Sequence, residues 1–327
     1  MSASTIEQTP FGVIIGGPQA LHKRIEHGVI LGSLLLGCAA AGYWYFGLGK
    51  PLTWVDVTSF LIGYTIINIG VGMVLHRYFS HKSYETYTWM RYVLGAMATM
   101  ACQGSILKWA ADHRRHHSHT DECGDLHSPH VDGHCHDTDT LAGMFHSHIG
   151  WAFDDTTTDT AIYGKGLIGD PVVEFFGRTR WFWYAASVAI FPGLYGYLLG
   201  GFDGMVGSIL FGGFVRTFVL LNAVLAVNSI GHKWGSERYG QDNHSKNNFW
   251  LALLTFGDGF HNNHHHFPRA AMAGHRWWEI DVNGWIIHGM GKIGLAWNVV
   301  SVPESMRHPE RFPVSQDNKA PETKAVA

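Results

Sequence analysis

The chain has 327 residues, with 23 Lys+Arg against 26 Asp+Glu and a formal net charge of −3. That near-balance, with no basic stripe, excludes a nucleic-acid footprint, and the length suits one domain with a sizeable core. Charged residues are only 15% and aromatics 13%, the 23 histidines are an excess, and a mean hydropathy near zero hides strong segregation of apolar from polar stretches.

Residues 1–28 are polar and mixed, and His22-Lys23-Arg24 lies near their end. No short apolar run precedes a small-residue cleavage site, so no cleaved signal peptide is expected. Residues 29–48 are apolar and uncharged, long enough to span a bilayer. Gly49-Lys50-Pro51 turns the chain into a second span at 55–75, and the short connection makes the two a hairpin. Residues 89–106 are apolar but hold Arg91 and Gln103; a full span is possible, but Lys108, Asp112 and a histidine cluster follow closely, so a shorter helix at or partly within the interface is expected. A long polar region fills 118–180. A third span is expected at 181–201, a turn at Gly200–Gly204, and a fourth span at 205–230, interrupted by Arg216. Residues 249–260 are too short to cross, and 277–300 look amphipathic and interfacial. The tail, 313–327, is rich in Pro, Lys, Glu and Ala and is expected to be disordered, which leaves 1–312 as a single membrane domain. Cys38, Cys102, Cys123 and Cys135 form no CxxC pair, so no disulfide framework is expected and a reducing compartment fits.

Four short histidine clusters lie between these apolar stretches: His76-Arg77-Tyr78-Phe79-Ser80-His81, His113-Arg114-Arg115-His116-His117, Asn228-Ser229-Ile230-Gly231-His232 and His261-Asn262-Asn263-His264-His265. One histidine in an apolar setting is usually a hydrogen-bonded core residue. A spacing of HxxHH occurring twice, with each cluster at the end of an apolar segment, points instead to metal. On a helix, i+3 and i+4 neighbours share roughly one face, and imidazole is a common transition-metal ligand. HxxxxH points its second ring away on a regular helix, so the first cluster is expected to straddle a helix end. Nine imidazoles are too many for one ion, and two metals are the simplest count. Structural zinc sites take four ligands, usually with Cys, and zinc does not redox-cycle, so iron fits better.

Lys and Arg are sparse in the loops at 49–54 and 200–204 but frequent on the other side, at Lys23, Arg24, Arg77, Lys82, Arg114, Arg115, Arg178, Arg180, Lys233 and Arg238. The positive-inside rule puts that side in the cytoplasm. Two hairpins then bring all four clusters, and both chain termini, to the cytoplasmic face. The expected fold is an all-α integral membrane protein with four transmembrane helices in two hairpins and a cytosolic helical cap holding a histidine-ligated di-iron centre. A non-haem iron pair fed by apolar helices suggests oxygen activation against a hydrocarbon. Neutral ligands leave the metal charge uncancelled, so nearby acids should orient the imidazoles; Asp112 and Asp258 are the candidates.

HRYFSH, HRRHH, NSIGH and HNNHH, in this order, resemble the boxes of the membrane fatty-acyl desaturases, most of all the stearoyl-type (delta-9) branch. The resemblance runs over about 55–300 and takes in Gly257–Phe260, Asp125–Pro129, Ser147–Trp151, Phe267–Arg269 and Arg276–Glu279. It implies O2-dependent insertion of a double bond into a saturated acyl chain at two Fe2+ ions. The implied ligands are His76, His81, His113, His116, His117, His232, His261, His264 and His265, with Asn228 acting through a water. Animal acyl-CoA desaturases carry an Arg where this chain has Ala111, and a basic pair near the place of Asp154-Asp155. An acidic pair repels phosphates, so a lipid-linked acyl substrate gains over a CoA thioester. His134-Cys135-His136 reads as a solvated loop rather than a metal site, and His119, His127, His130, His146, His148 and His266 stay unassigned.

No stretch remains for a fused haem domain, which takes roughly 100 residues with axial ligands. Electrons are therefore expected from a separate ferredoxin, cytochrome or flavoprotein reductase. Gly289–Gly294 spells GxGxxG but follows no expected strand and is rejected as a nucleotide site. A hydroxylase or acetylenase on the same scaffold is the nearest alternative. A metal transporter with His-rich loops is a more distant one, disfavoured by the few polar residues in the spans.

Overall fold

The computed structural model describes residues 7–8 and 12–307; the tail expected at 313–327 lies outside them. The elements are β1 (Glu7–Gln8), β2 (Val13–Ile15), α1 (Gly17–Gly42), α2 (Trp54–Ile69), β3 (Glu85–Thr86), α3 (Thr88–Met100), α4 (Ile106–Ser118), α5 (Thr140–His148), β4 (Thr156–Thr158), α6 (Thr160–Tyr163), α7 (Pro171–Ala185), α8 (Phe191–Gly207), α9 (Arg216–Ser229), α10 (Phe249–Leu254), α11 (His261–His266), α12 (Val282–Lys292), β5 (Ala296–Trp297) and α13 (Glu304–Arg307). The fold is mostly helical, as expected, but not wholly so. An antiparallel sheet β1-β2-β4 pairs Val13 with Thr158, and a second pairs Glu85 of β3 with Trp297 of β5.

Among the described residues, three helical stretches are long and apolar enough to cross a membrane: Gly17–Gly47, Trp54–Ser80 and Pro171–His232. The first begins well before the expected residue 29. Lys23 and Glu26 made that stretch look too polar, yet both are buried and paired across the chain. Lys23 Nζ donates to Asp154 (2.6 Å) and to the carbonyls of Trp151 and Thr156, and Glu26 accepts from Arg180 (2.7 Å). The second stretch opens with a capping box between Thr53 and Asp56, each side chain taking the other's backbone N–H. The apolar 89–106 stretch yields only the 13-residue α3.

The third stretch breaks at Gly201, whose φ of 62° and ψ of −150° are not helical. After the break the chain runs back on itself. Gly193 sits tightly against Ile209, and Gly196 meets the carbonyl of Gly204 and Gly213 that of Val188 so closely that a Cβ would collide. Alongside α2 the same chain runs parallel, through Asp56 with Gly207 and Ser59 with Gly212. Small residues thus let the backbones approach. Arg216, expected to interrupt this segment, is instead fully buried. Its guanidinium donates to the carbonyls of Gly212 (2.9 Å), Gly63 (3.3 Å) and Ser187 (2.6 Å), so it joins three helical segments.

Glycine at the tightest of these contacts makes a direct prediction. Gly213→Ala drives a methyl into the backbone of Val188 and should cost about 1–3 kcal/mol, read as a lower thermal midpoint in detergent. Gly177→Ala, where a Cβ meets nothing within 4 Å, should leave the midpoint unchanged or raise it.

Candidate metal centre

Beyond α2 the helix continues π-wound from Gly70 to Ser80, with His81 as its cap. This is how HxxxxH brings its two rings together. In a π-helix the i→i+5 bond replaces i→i+4, and the His81 N–H indeed donates to the His76 carbonyl (3.2 Å). A widened turn, more than a simple helix end, therefore delivers the pair. The other boxes follow α-helical logic, with a twist the spacing did not reveal. In α4, His113 and His117, four apart, face one cluster while His116 faces another. In α11, His261 and His265 share that other cluster while His264 crosses to the first. His232 comes from a 3₁₀ turn, Ile230–His232, beyond the end of α9.

All nine histidines converge as two adjacent groups, His76, His81, His113, His117 and His264, and His116, His232, His261 and His265, with donor atoms in each within 4.8 Å of one another. The Nε2 atoms point inward. They lie 2.7 Å apart between His81 and His113, 2.8 Å between His117 and His264, 2.9 Å between His76 and His264, 2.9 Å between His232 and His261, and 3.0 Å between His261 and His265. Metal–imidazole bonds of about 2.0–2.1 Å place ligand nitrogens at closely similar separations. Asn228, half-buried, is not within either group but lines a cavity beside His76, His113, His116 and His261.

Carboxylates fix the tautomers. Asp125 bonds His116 Nδ1 (2.9 Å), Asp121 bonds His232 Nδ1 (2.9 Å) and Asp258 faces His76 Nδ1 (3.3 Å). A proton held on Nδ1 leaves the Nε2 lone pair for a metal. Arg77 in turn ties Asp258 (3.1 Å) to Asp281 (2.9 Å). Of the two acids expected to orient ligands, Asp258 faces a ring of the two groups, His76, whereas Asp112 lines a cavity with Lys108 and hydrogen-bonds none of those rings. Asp121 and Asp125 were missed. Their signal was there, two acids within a few residues of the second box, but a polar loop hides it. Burial opposes ionisation of both, but His232 beside Asp121 and His116 beside Asp125 hold them well below the carboxylate range. Burial also disfavours charge on His116, but Asp125 outweighs it and lifts the imidazole above its ordinary value. Burial, with neighbouring imidazoles adding to it, holds His81, His113, His117, His261, His264 and His265 far below theirs.

The spacer residues of the last box also matter. Asn262 Oδ1 accepts from the N–H groups of Arg238 and Tyr239, and Asn263 Nδ2 donates to Glu279 (2.9 Å), which anchors α11. Of the unassigned histidines, His127 is buried 4.5 Å from the His116 ring, His130 reaches the His232 carbonyl, His148 bonds Asn222 and Ser229, His119 bonds Tyr163, and His266 stacks on Tyr239. His146 is partly buried outside both groups. His134 pairs with Asp155 and His136 with Asp132, while Cys135 is bonded to Cys123. The expectation of no disulfide is thereby corrected: separation by twelve residues hid a contact made by the folded loop. The Cys135 thiol is consumed, so His134-Cys135-His136 offers no three-ligand site.

A cavity of about 90 Å³ runs to His113 and Asn228 between walls that include Ile30, Leu221, Val224 and Trp109. Asp154 is neutralised by Lys23 (2.6 Å), so the acidic pair expected to repel phosphates carries less free charge than its sequence suggests.

Two measurements follow. Asp125→Ala should weaken metal binding by roughly 10–100-fold, seen by elemental analysis after chelator challenge; unchanged retention would contradict a ligand-orienting role. The metal-free protein should lose stability as pH falls below about 6.5, the ordinary imidazole value, because unfolded histidines take up protons that the buried ones refuse. His116 pulls the other way but is outnumbered. Thermal midpoints between pH 8 and 5 test this, and a flat profile would oppose it.

Residues 51–289 match the fatty acid desaturase family. The chain is 34% identical over 264 residues to a hex-5-enoyl-[acyl-carrier protein] acetylenase of Moorena producens (strain JHB), covering 79% of each chain. It is 34% identical over 250 residues to an sn-1 stearoyl-lipid 9-desaturase of Anabaena variabilis, covering 76% of this chain and 85% of that one. An icosanoyl-CoA 5-desaturase of Limnanthes douglasii is 30% identical over 256 residues, 77% of this chain and 66% of that one. The chain belongs to the fatty acid desaturase family and is an oxidoreductase acting on fatty acyl chains.

Proposed function

We propose that this chain inserts a double bond into a saturated fatty acyl chain, using O2, two iron ions and electrons from a separate donor. The observation that carries this is the convergence of nine histidines into two neighbouring nitrogen-only groups at the end of an apolar cavity. Ligands without Cys favour a redox-capable metal over structural zinc. His76, His81, His113, His117 and His264 would hold one iron; His116, His232, His261 and His265 would hold the other, with Asn228 reaching it through water. The iron pair, when bound, supplies the oxidising chemistry. The protein's own part is geometric. Ile30, Leu221 and Val224 line the path of an alkyl chain, Trp109 packs 5.1 Å from the His113 ring and nearly parallel to it, and the apolar walls keep water from the reacting carbons.

The break at Gly201 supports four membrane crossings in two hairpins, with α4, α5 and α10–α12 as the cap. The Lys/Arg asymmetry supports a cytoplasmic metal centre and cytoplasmic termini. For the acyl carrier, the proposal favours a membrane lipid. Ala111 is buried and places no cation where animal acyl-CoA desaturases carry an Arg, and lipid-linked desaturases are among the relatives. A ferredoxin, cytochrome or flavoprotein reductase would supply electrons. An acetylenase is the second reading, favoured by the relative that bears that name; a small shift of the alkyl chain relative to iron would separate the two outcomes.

Cells expressing the chain with iron under air should accumulate new monounsaturated acyl chains that are absent with His264→Ala. Double-bond analysis by mass spectrometry gives the position. Triple-bonded products would favour the acetylenase instead, and unchanged product with His264→Ala would refute the ligand assignment. Purified protein given O2 and substrate without an electron donor should show no sustained turnover, whereas continued turnover would remove the external donor from the proposal.

A further inference from the structure

The segment between α4 and α5 supplies the acids that orient one histidine group, and a covalent bond closes it. Cys123 is bonded to Cys135, with Cα atoms 4.6 Å apart. Cys123 stands between Asp121 and Asp125 in the sequence. The closed ring carries Asp125 against His116, Ser128, whose hydroxyl donates to Asp121 Oδ1 (2.7 Å), and His130, whose Nε2 lies 3.2 Å from the His232 carbonyl. Asp121 in turn holds His232 Nδ1, and its own N–H donates to Asp125 Oδ2 (3.0 Å). These contacts all bear on the group of His116, His232, His261 and His265. The other group takes its carboxylate, Asp258, from a different part of the chain. Cys135 is exposed at the surface and Cys123 half-buried, so one end of the bond faces solvent while the other adjoins the acids. Cys38 and Cys102 are free thiols.

We propose that Cys123–Cys135 is a reversible redox-modification site that sets how firmly the His116, His232, His261 and His265 group holds its metal. This rests on the two-metal proposal above. In the forward step a small dithiol donates two electrons and two protons. The S–S bond becomes two Cys thiols and the dithiol becomes a disulfide; a disulfide of the same class reverses the step. Opening the ring returns conformational freedom to residues 123–135. Asp125 and Ser128 then hold Asp121, His116 and His232 less firmly. Losing such a partner outright typically weakens metal binding by about 10–100-fold, so a loosened one should act at the lower end of that range.

The test uses the full chain loaded with Fe2+ under anaerobic conditions. It is treated with or without dithiothreitol, desalted and challenged with a chelator. Alkylation followed by mass spectrometry reports the thiols. Reduction should make one of the two metals leave about tenfold faster, in line with the lower end of that range, and reoxidation should restore the slow rate. Cys123→Ser/Cys135→Ser should match the reduced wild type and ignore dithiothreitol, while Cys38→Ser should respond like wild type. Equal loss rates in the two states of the wild type would overturn the proposal. So would a double variant that still responds to dithiothreitol, or complete alkylation of Cys123 and Cys135 in untreated protein. Retention of two metals in both states would sink the switch alone. Failure to take up metal in either state would sink the two-metal proposal with it.

Discussion

Inward-pointing imidazole nitrogens set the terms for the rest of the molecule. Ring nitrogens held at hydrogen-bond distance, with Nδ1 of His76, His116 and His232 already facing carboxylates, direct lone pairs at one another. Such crowding is relieved by cations, and buried neutral imidazoles are costly to charge. The acids are placed accordingly. Neutral imidazoles would not offset the charge of a metal held between them; Asp121, Asp125 and Asp258 stand one bond back, and Arg77 balances Asp258 and Asp281 on the far side. Six of the rings, His81, His113, His117, His261, His264 and His265, resist charge, while carboxylates and Arg77 carry the charge one layer out.

Everything else brings these rings to one place. Paired small residues let α2 and the chain leading into α9 pack with their backbones closely apposed. The π-winding of Gly70–Ser80 rotates His81 under His76. α4 and α11 then cross that end, each giving two histidines to one group and one to the other. Each HxxHH box thereby links both groups, and displacement of either helix would disturb both.

Much of this was legible in the sequence. Histidine is a rare type and its spacings here are rigid, so the four histidine boxes that converge into two groups declared themselves, and long uncharged runs declared the apolar helices. The misses share a cause: they depend on partners far away in the chain. Lys23 and Glu26 looked like the polar end of a shorter helix until Asp154 and Arg180 closed on them. Asp112 adjoins a ligand in sequence but faces away, whereas Asp121 and Asp125 lie in an irregular loop that periodicity does not describe. Local spacing also showed that HxxHH residues share a face, but not that the face would be divided between two groups. The Cys123–Cys135 bond is likewise a product of loop folding.

The most direct test of the account is the metal itself. Protein expressed with ample iron should bind about two irons per chain, since nine imidazoles exceed what one ion can take. X-ray absorption should show nitrogen and oxygen neighbours without sulfur. His264→Ala and His116→Ala should each weaken a different one of the two sites. One iron per chain, a sulfur ligand, or a native complement of zinc would contradict the central claim that these histidines form two neighbouring iron sites.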